Sequence, residues 1–389
     1  MKQVINSLAV LMCAFGLVAS VAGRSHHKVD EKTERTMASD PSVTVTLCVM
    51  AGQITVRGWE KDEVRARSAD AEEIEFKRID AAPGETKPAR KIDVFIKDGS
   101  EEGRARGDCQ ASADVELDVP KGATVQVQTR DGNISITGIE AAYAGSQNGD
   151  ICIENVSQRI EAGSIGGGIS LKDSSGRVNL SSAGGGIDVT NVKPLTGEDD
   201  IEVTSVSGDI QFDSVGHSKL AARSVTGNIN LAGPLSHGGN YGFNTTSGDI
   251  TLSLPSEASF RLMARLSQDG EIITDFPLTL TTEPVPPIKA PPAPDARNAP
   301  PPGPAPKPGK PAPPDSAPEA EKPDSESTPR QVTVVKVVPA VKVPPVVVKV
   351  APPVIAIPYS LRRVDAVCGT GDAFINVSSF SGNLRLEKN

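Results

Sequence analysis

Gly149-Asp150-Ile151-Cys152-Ile153, Gly167-Gly168-Ile169-Ser170-Leu171 and Gly185-Gly186-Ile187-Asp188-Val189 are three copies of one pattern. Glycine comes first, then a small or polar residue, then an apolar, a polar and a second apolar residue. Glycine followed by Asp, Asn or Gly is turn chemistry that tolerates positive φ, and the alternation after it makes a short strand with one buried face. Moving outward, the pattern recurs as Gly132-Asn133-Ile134-Ser135-Ile136, Gly208-Asp209-Ile210-Gln211-Phe212, Gly227-Asn228-Ile229-Asn230-Leu231 and Gly248-Asp249-Ile250-Thr251-Leu252. Distant copies stand at Gly52-Gln53-Ile54-Thr55-Val56 and Gly382-Asn383-Leu384-Arg385-Leu386. From Gly132 to Gly248 the glycines are 17, 18, 18, 23, 19 and 21 residues apart.

Between the turns lies a second alternating stretch, such as Ile201-Glu202-Val203, Leu220-Ala221-Ala222 or Tyr241-Gly242-Phe243. One period of about twenty residues therefore holds two strands and two turns, the unit of a stacked coil. The predicted fold is all-β: a β-solenoid, a single-chain β-helix-like stack of about ten such coils with strands about 4.8 Å apart. Its isoleucine-type side chains should form one axial column. An antiparallel sandwich of short strands is the alternative, but it gives no reason for near-identical turns. Thr55, Ser135, Cys152, Ser170, Asp188, Gln211, Asn230, Thr251 and Arg385 occupy the polar position between the two apolar ones and should line one outer face.

Composition agrees with a thin core. Only 13 of 389 residues are aromatic, so small and β-branched side chains must do the burying. Of the 32 prolines, 24 fall between Pro284 and Pro358, where Pro, Ala, Lys, Glu and Ser cannot bury enough apolar surface to offset ordering. The expected organisation is a signal peptide over 1–23, a flexible N-terminus over 24–42, the repeat domain over 43–282, a disordered Pro-rich insertion over 283–358, and a terminal coil over 359–389. The signal reading rests on Lys2, the apolar run Leu8–Val21 and the small residues Val21-Ala22-Gly23. Thirty-one residues cannot sustain their own core, so the tail should dock back as the last coil, continuing from the Phe276-Pro277-Leu278 strand. Pairing with another molecule's open end is the alternative.

Removing the signal takes the net charge from −9 to −10, which disfavours nucleic acid as a partner. No segment of the mature chain reads as a membrane span, because Lys336, Lys342, Lys349 and the prolines interrupt the apolar stretch 332–350. Cys48, Cys109, Cys152 and Cys368 remain after export, and four cysteines allow three pairings. Cys48 with Cys109 is favoured, since both belong to the N-terminal module.

Gly52-Gln53-Ile54-Thr55-Val56-Arg57-Gly58-Trp59, then Asp62-Glu63-Val64, Val115–Pro120, Gly122 and Val125, followed by the Gly-Asp-Ile coils, resemble the bacterial "putative adhesin" domain-of-unknown-function family. The resemblance covers roughly 43–282 and 359–389. It implies a β-strand-repeat, adhesin-head-like domain of the cell envelope and supplies no catalytic residues to carry over. The Pro-rich stretch departs from the family pattern.

Asp150, Asp209 and Asp249 recur at equivalent places, as paired carboxylates of a glycan-cleaving β-helix would, but each directly follows a turn glycine, which turn chemistry explains. Gly167, Gly176 and Gly185 are nine apart as in calcium rolls, yet Gly184-Gly185-Gly186-Ile187-Asp188 lacks the Gly-Gly-x-Gly-x-Asp ligand pattern. His26 and His27 fall in the N-terminus, and His217 and His237 are expected on solvated turns. No catalytic residue, cofactor or metal site is expected. The functional expectation is a non-enzymatic exported interaction protein of the periplasm, cell surface or extracellular space, meeting a protein or surface glycan. A polysaccharide-acting enzyme and an accessory of envelope-stress sensing are the alternatives.

Overall fold

The computed structural model describes residues 32–80, 87–97, 109, 111–196, 200–267, 269–280 and 362–389. The chain divides into two units. One comprises Met1–Thr282 with Pro344–Asn389 and holds every described residue; the other, Glu283–Val343, lies outside them. The expected signal peptide and the whole of the Pro-rich insertion also lie outside.

Every described element is a strand. At the N-terminal end these are β1 (Thr33–Ala51), β2 (Ile54–Trp59), β3 (Glu63–Ser68), β4 (Glu73–Arg78), β5 (Ala89–Lys97), β6 (Val115–Pro120) and β7 (Thr124–Asp131). The middle follows with β8 (Ile134–Thr137), β9 (Ala141–Ser146), β10 (Ile151–Glu154), β11 (Arg159–Ser164), β12 (Ile169–Lys172), β13 (Arg177–Ser182) and β14 (Ile187–Thr190). Next come β15 (Asp200–Ser207), β16 (Ile210–Asp213), β17 (Lys219–Thr226), β18 (Ile229–Ala232), β19 (Asn240–Ser247) and β20 (Ile250–Leu254). The C-terminal end has β21 (Phe260–Leu266), β22 (Ile272–Thr274), β23 (Thr279–Leu280), β24 (Arg362–Cys368), β25 (Ala373–Ser381) and β26 (Leu384–Lys388).

Two parallel ladders run side by side. One has the order β6-β2-β8-β10-β12-β14-β16-β18-β20-β26-β22. The other runs β5-β1-β7-β9-β11-β13-β15-β17-β19-β25-β21. This is a β-solenoid: each rung gives one strand to each ladder, and the shared core lies between them. The isoleucine column is continuous, with Val115, Ile54, Ile134, Ile151, Ile169, Ile187, Ile210, Ile229, Ile250 and Leu384 stacked in register and none more than 2 % exposed. Burying each such side chain contributes about 1.5–3 kcal/mol, so the column repays the strand ordering that no single four-residue strand could support. The polar row from Thr55 to Arg385 stacks in register on the opposite side of the same strands.

Both ends differ from what the repeat predicts. The chain is already β-strand at Thr33, where a flexible N-terminus was expected, because Thr33–Ala38 pair antiparallel with β3. That half-strand is an edge, held by backbone pairing more than side-chain burial, so it carries no apolar alternation to read. The C-terminal tail does not form the last coil. β25 lies between β19 and β21, and β26 between β20 and β22, one rung earlier. Nor does Phe276-Pro277-Leu278 continue the ladder as a strand. Phe276 instead closes the core, buried edge-to-face against Phe260 at 5.5 Å.

Candidate functional site

The residues singled out by the repeat meet along one corner of the coil. Gly52, Gly132, Gly149, Gly167, Gly185, Gly208, Gly227, Gly248 and Gly382 stack there, each against the glycine of the next rung. Positive φ is not the common reason for them: among the nine, only Gly52, Gly248 and Gly382 adopt it. The cause is close approach. A Cβ on Gly149 would stand 2.0 Å from the Gly132 carbonyl oxygen, a distance no real side chain tolerates. Left-handed residues instead mark the opposite corner, at Gly138, Asn155, Asp173, Asn191, Ser214 and Gly233, each just after a strand of the isoleucine ladder.

Three residues before each repeat glycine from Gly132 onward stands a buried hydroxyl: Thr129, Ser146, Ser164, Ser182, Ser205, Ser224, Thr245 and Ser379. Ser164 Oγ donates to the Gly149 carbonyl of the neighbouring rung at 3.2 Å and accepts the N–H of its own Gly167 at 2.9 Å. Ser146 and Ser182 do the same, and Ser224, Thr245 and Ser379 donate to Gly208, Gly227 and Gly248. From Ser146 onward these hydroxyls thus stitch neighbouring glycine corners together. The Ser/Thr-x-x-Gly spacing is visible in the sequence beside the glycine pattern. Thr129 ends the row. Its neighbour in the next rung is Val49, and its buried hydroxyl has no partner.

A second stitch uses the Asn or Asp that follows a repeat glycine. Asn133 Oδ1 accepts the Asp150 N–H at 2.9 Å, Asp150 Oδ1 that of Gly168 at 2.8 Å, Asp209 Oδ1 that of Asn228 at 2.7 Å, and Asp249 Oδ1 that of Asn383 at 2.7 Å. The carboxylates considered for acid–base chemistry are therefore rung-to-rung acceptors. Asp188, on the outer face, differs: burial pushes its carboxyl up and Asp209 adds to this, while Lys172 opposes it.

His217 corrects the expectation of a solvated turn. It is fully buried, with Nε2 2.7 Å from the Gly176 carbonyl oxygen and Nδ1 without a partner. Its turn folds inward because the Tyr241 hydroxyl, itself buried, donates to the His217 carbonyl at 3.1 Å and accepts the Ser236 N–H at 2.7 Å. His237 is exposed. No group of three His, Cys, Asp or Glu among the described residues is arranged to hold a metal ion. Cys48 and Cys109 form a disulfide with Cα atoms 4.7 Å apart, and Cys368 is buried as a free thiol.

At the N-terminal end the Gly-Trp element is pinned. Trp59 Nε1 donates to the Glu63 carbonyl at 2.8 Å, and Lys61 and Arg65 each lie 4.7 Å from its ring centroid. Arg65 and Arg67 converge on the buried Asp118 at 2.8 and 3.2 Å, tying β3 to β6.

Stacked glycine corners stitched by hydroxyls and Asx side chains define a β-repeat protein. The chain belongs to the Toastrack DUF4097 family, whose model matches residues 52–283. No curated protein matches it. Among solved structures it is similar to a "Putative lipid binding protein" from Parabacteroides distasonis, at 14% identity and a TM-score of 0.37, over 59% of this chain and 92% of that one. A "putative cell adhesion protein" from Clostridium sporogenes aligns at 7% identity and a TM-score of 0.18, over 92% of this chain and 100% of that one. Among the described residues no helix is long and apolar enough to cross a membrane.

Proposed function

We propose that this protein is a non-enzymatic, exported module of the cell envelope that presents the outer rows of its solenoid to a protein or surface glycan. The observation carrying this reading is the engagement of Asp150, Asp209 and Asp249 with backbone N–H groups of adjacent rungs. A general acid or base must exchange protons with substrate, whereas one oxygen, Oδ1, of each of these carboxylates is engaged in holding the stack. The outer row from Thr55 to Arg385 supports display where it reaches solvent: Gln211 and Arg385 are exposed and most of the others half-buried, held at one fixed spacing, whereas Ser170 is buried. The signal-like segment 1–23 supports export.

Cross-linking of intact cells followed by mass spectrometry tests this. A reproducible envelope protein or glycan linked to the outer row supports the reading. Turnover of purified envelope polysaccharide that disappears in the Asp188→Asn variant would overturn it in favour of the enzyme alternative. Recovery of only cytoplasmic partners would remove export.

A further inference from the structure

The C-terminal end is held together by its tail. β21 has two ladder partners, β24 and β25; β22 pairs with β26, and β23 with β24. All of those partners come from residues 362–389. Among the described residues, the segment Phe260–Leu280 therefore joins the ladders of the stack through the tail alone, and covalently through the turn Pro255–Ser259. Tail and segment Phe260–Leu280, here called the flap, form a sandwich: the β19–β20 edge, the inserted rung, then the flap.

The tail meets this site by the same rules as every other rung. Ile375, Val377, Leu384 and Leu386 point inward and are buried, Ser379 donates to the Gly248 carbonyl at 3.2 Å, and Gly382 stacks on Gly248. Backbone pairing on both sides and this simple pattern require no covalent continuity with the neighbouring rungs. Entry is fastened by one clasp. Gly369 (φ 62°) and Gly371 (φ 76°) curl the loop so that the N–H groups of Thr370, Gly371 and Asp372 converge on Ser259 Oγ at 3.0, 2.9 and 3.3 Å. Gly238 N–H adds a bond to the Asp372 carbonyl at 3.0 Å.

We propose that this site is a docking surface for a second copy of the chain: residues 362–389 of one molecule insert between the β19–β20 edge and the flap of another, in exchange with that molecule's own tail. The 81 residues from 281 to 361 separate flap from tail. Fully extended, a stretch of that length reaches at most about 280 Å, ample for a neighbour. A tether this long gives the molecule's own tail an effective concentration of at most about a millimolar, so self-insertion wins in dilute solution and exchange becomes competitive where copies are crowded. A second copy is the fitting occupant because its tail carries the Ser379, Gly382 and Asn383 set that the corner recognises.

The test uses the full chain with a protease recognition sequence inserted after Gly309 and two distinguishable tags at Asn389. After cleavage and mixing, tails should stay bound at micromolar concentration and appear on bodies of the other preparation over hours. Ser259→Ala should speed that exchange at least tenfold. Tails that leave and do not rebind overturn the proposal, as do tails that exchange no faster than global unfolding measured by circular dichroism in the same sample. The exchange of the unsubstituted protein decides the matter even if Ser259→Ala does not fold.

Discussion

The middle rungs and the terminal rungs achieve the same parallel stacking by different means. From β8 to β20 each rung follows its predecessor in sequence and is registered by three columns: isoleucine, corner glycine and corner hydroxyl. At both ends the chain is threaded out of order. The β1–β2 rung sits between the β5–β6 and β7–β8 rungs, and the β25–β26 rung between β19–β20 and β21–β22. Antiparallel strands then cover the outer rungs, β3 on β6, β4 on β5 and β24 on β21. A solenoid must terminate its open edges or risk pairing with other chains. Local pattern suffices in the middle, whereas the ends require contacts between segments far apart in sequence.

The contrast should be clearest at the corner. Gly149→Val places a side chain on top of the Gly132 carbonyl and should abolish cooperative folding, a cost above about 4 kcal/mol read by urea denaturation. Gly238→Ala, at a turn near the C-terminal end where an added Cβ meets nothing within 4 Å, should cost only the left-handed backbone penalty of about 1 kcal/mol. A milder comparison uses the apolar column. Ile169→Ala in a central rung should lose about 2–5 kcal/mol, and Ile272→Ala in the partly buried edge strand β22 about 1 kcal/mol. Equal losses would mean the ends are packed as tightly as the middle.

The same division governed what could be read in advance. The Gly-x-Ile period located the isoleucine strands from β8 to β20, because each residue in that stretch answers to its copy in the next rung. β3, β4 and β24 have no copies, and the first half of β1 buries little, so nothing local announced them. The tail's membership was legible from Gly382-Asn383-Leu384, but its slot was not, since every rung offers the same pattern. His217 looked like a turn residue because the tyrosine that draws its turn inward lies 24 residues away.

Serine provides a finer comparison along one column. Ser164→Ala leaves the part-buried Gly167 N–H and the buried Gly149 carbonyl each short of a partner and should cost about 1–3 kcal/mol in chemical denaturation. Thr129→Val, where the row ends and the hydroxyl has no partner to lose, should be neutral or slightly stabilising. A matching loss at Thr129 would show that the hydroxyl acts there too.

The smallest effect concerns the β4–β5 cap. Burial alone would raise the Asp80 carboxyl, but the Arg78 guanidinium and the Arg90 backbone N–H hydrogen-bond it and hold its pKa at about 2, against 3.8 ordinarily. A carboxylate depressed on folding stabilises above its ordinary pKa, and that stability is lost as pH falls from about 4 toward 2. The site is solvated, so the contribution is below about 1 kcal/mol. Asp80→Asn should therefore lower hydrogen-exchange protection of the β5 amides of Ile92 and Val94 at pH 5, with the difference from the unsubstituted protein vanishing near pH 2. The amides of Ile169 and Leu171 in the central ladder should not respond to the substitution at either pH. A response there would mean that the cap and the middle rungs unfold as one unit, and the distinction between them would fail.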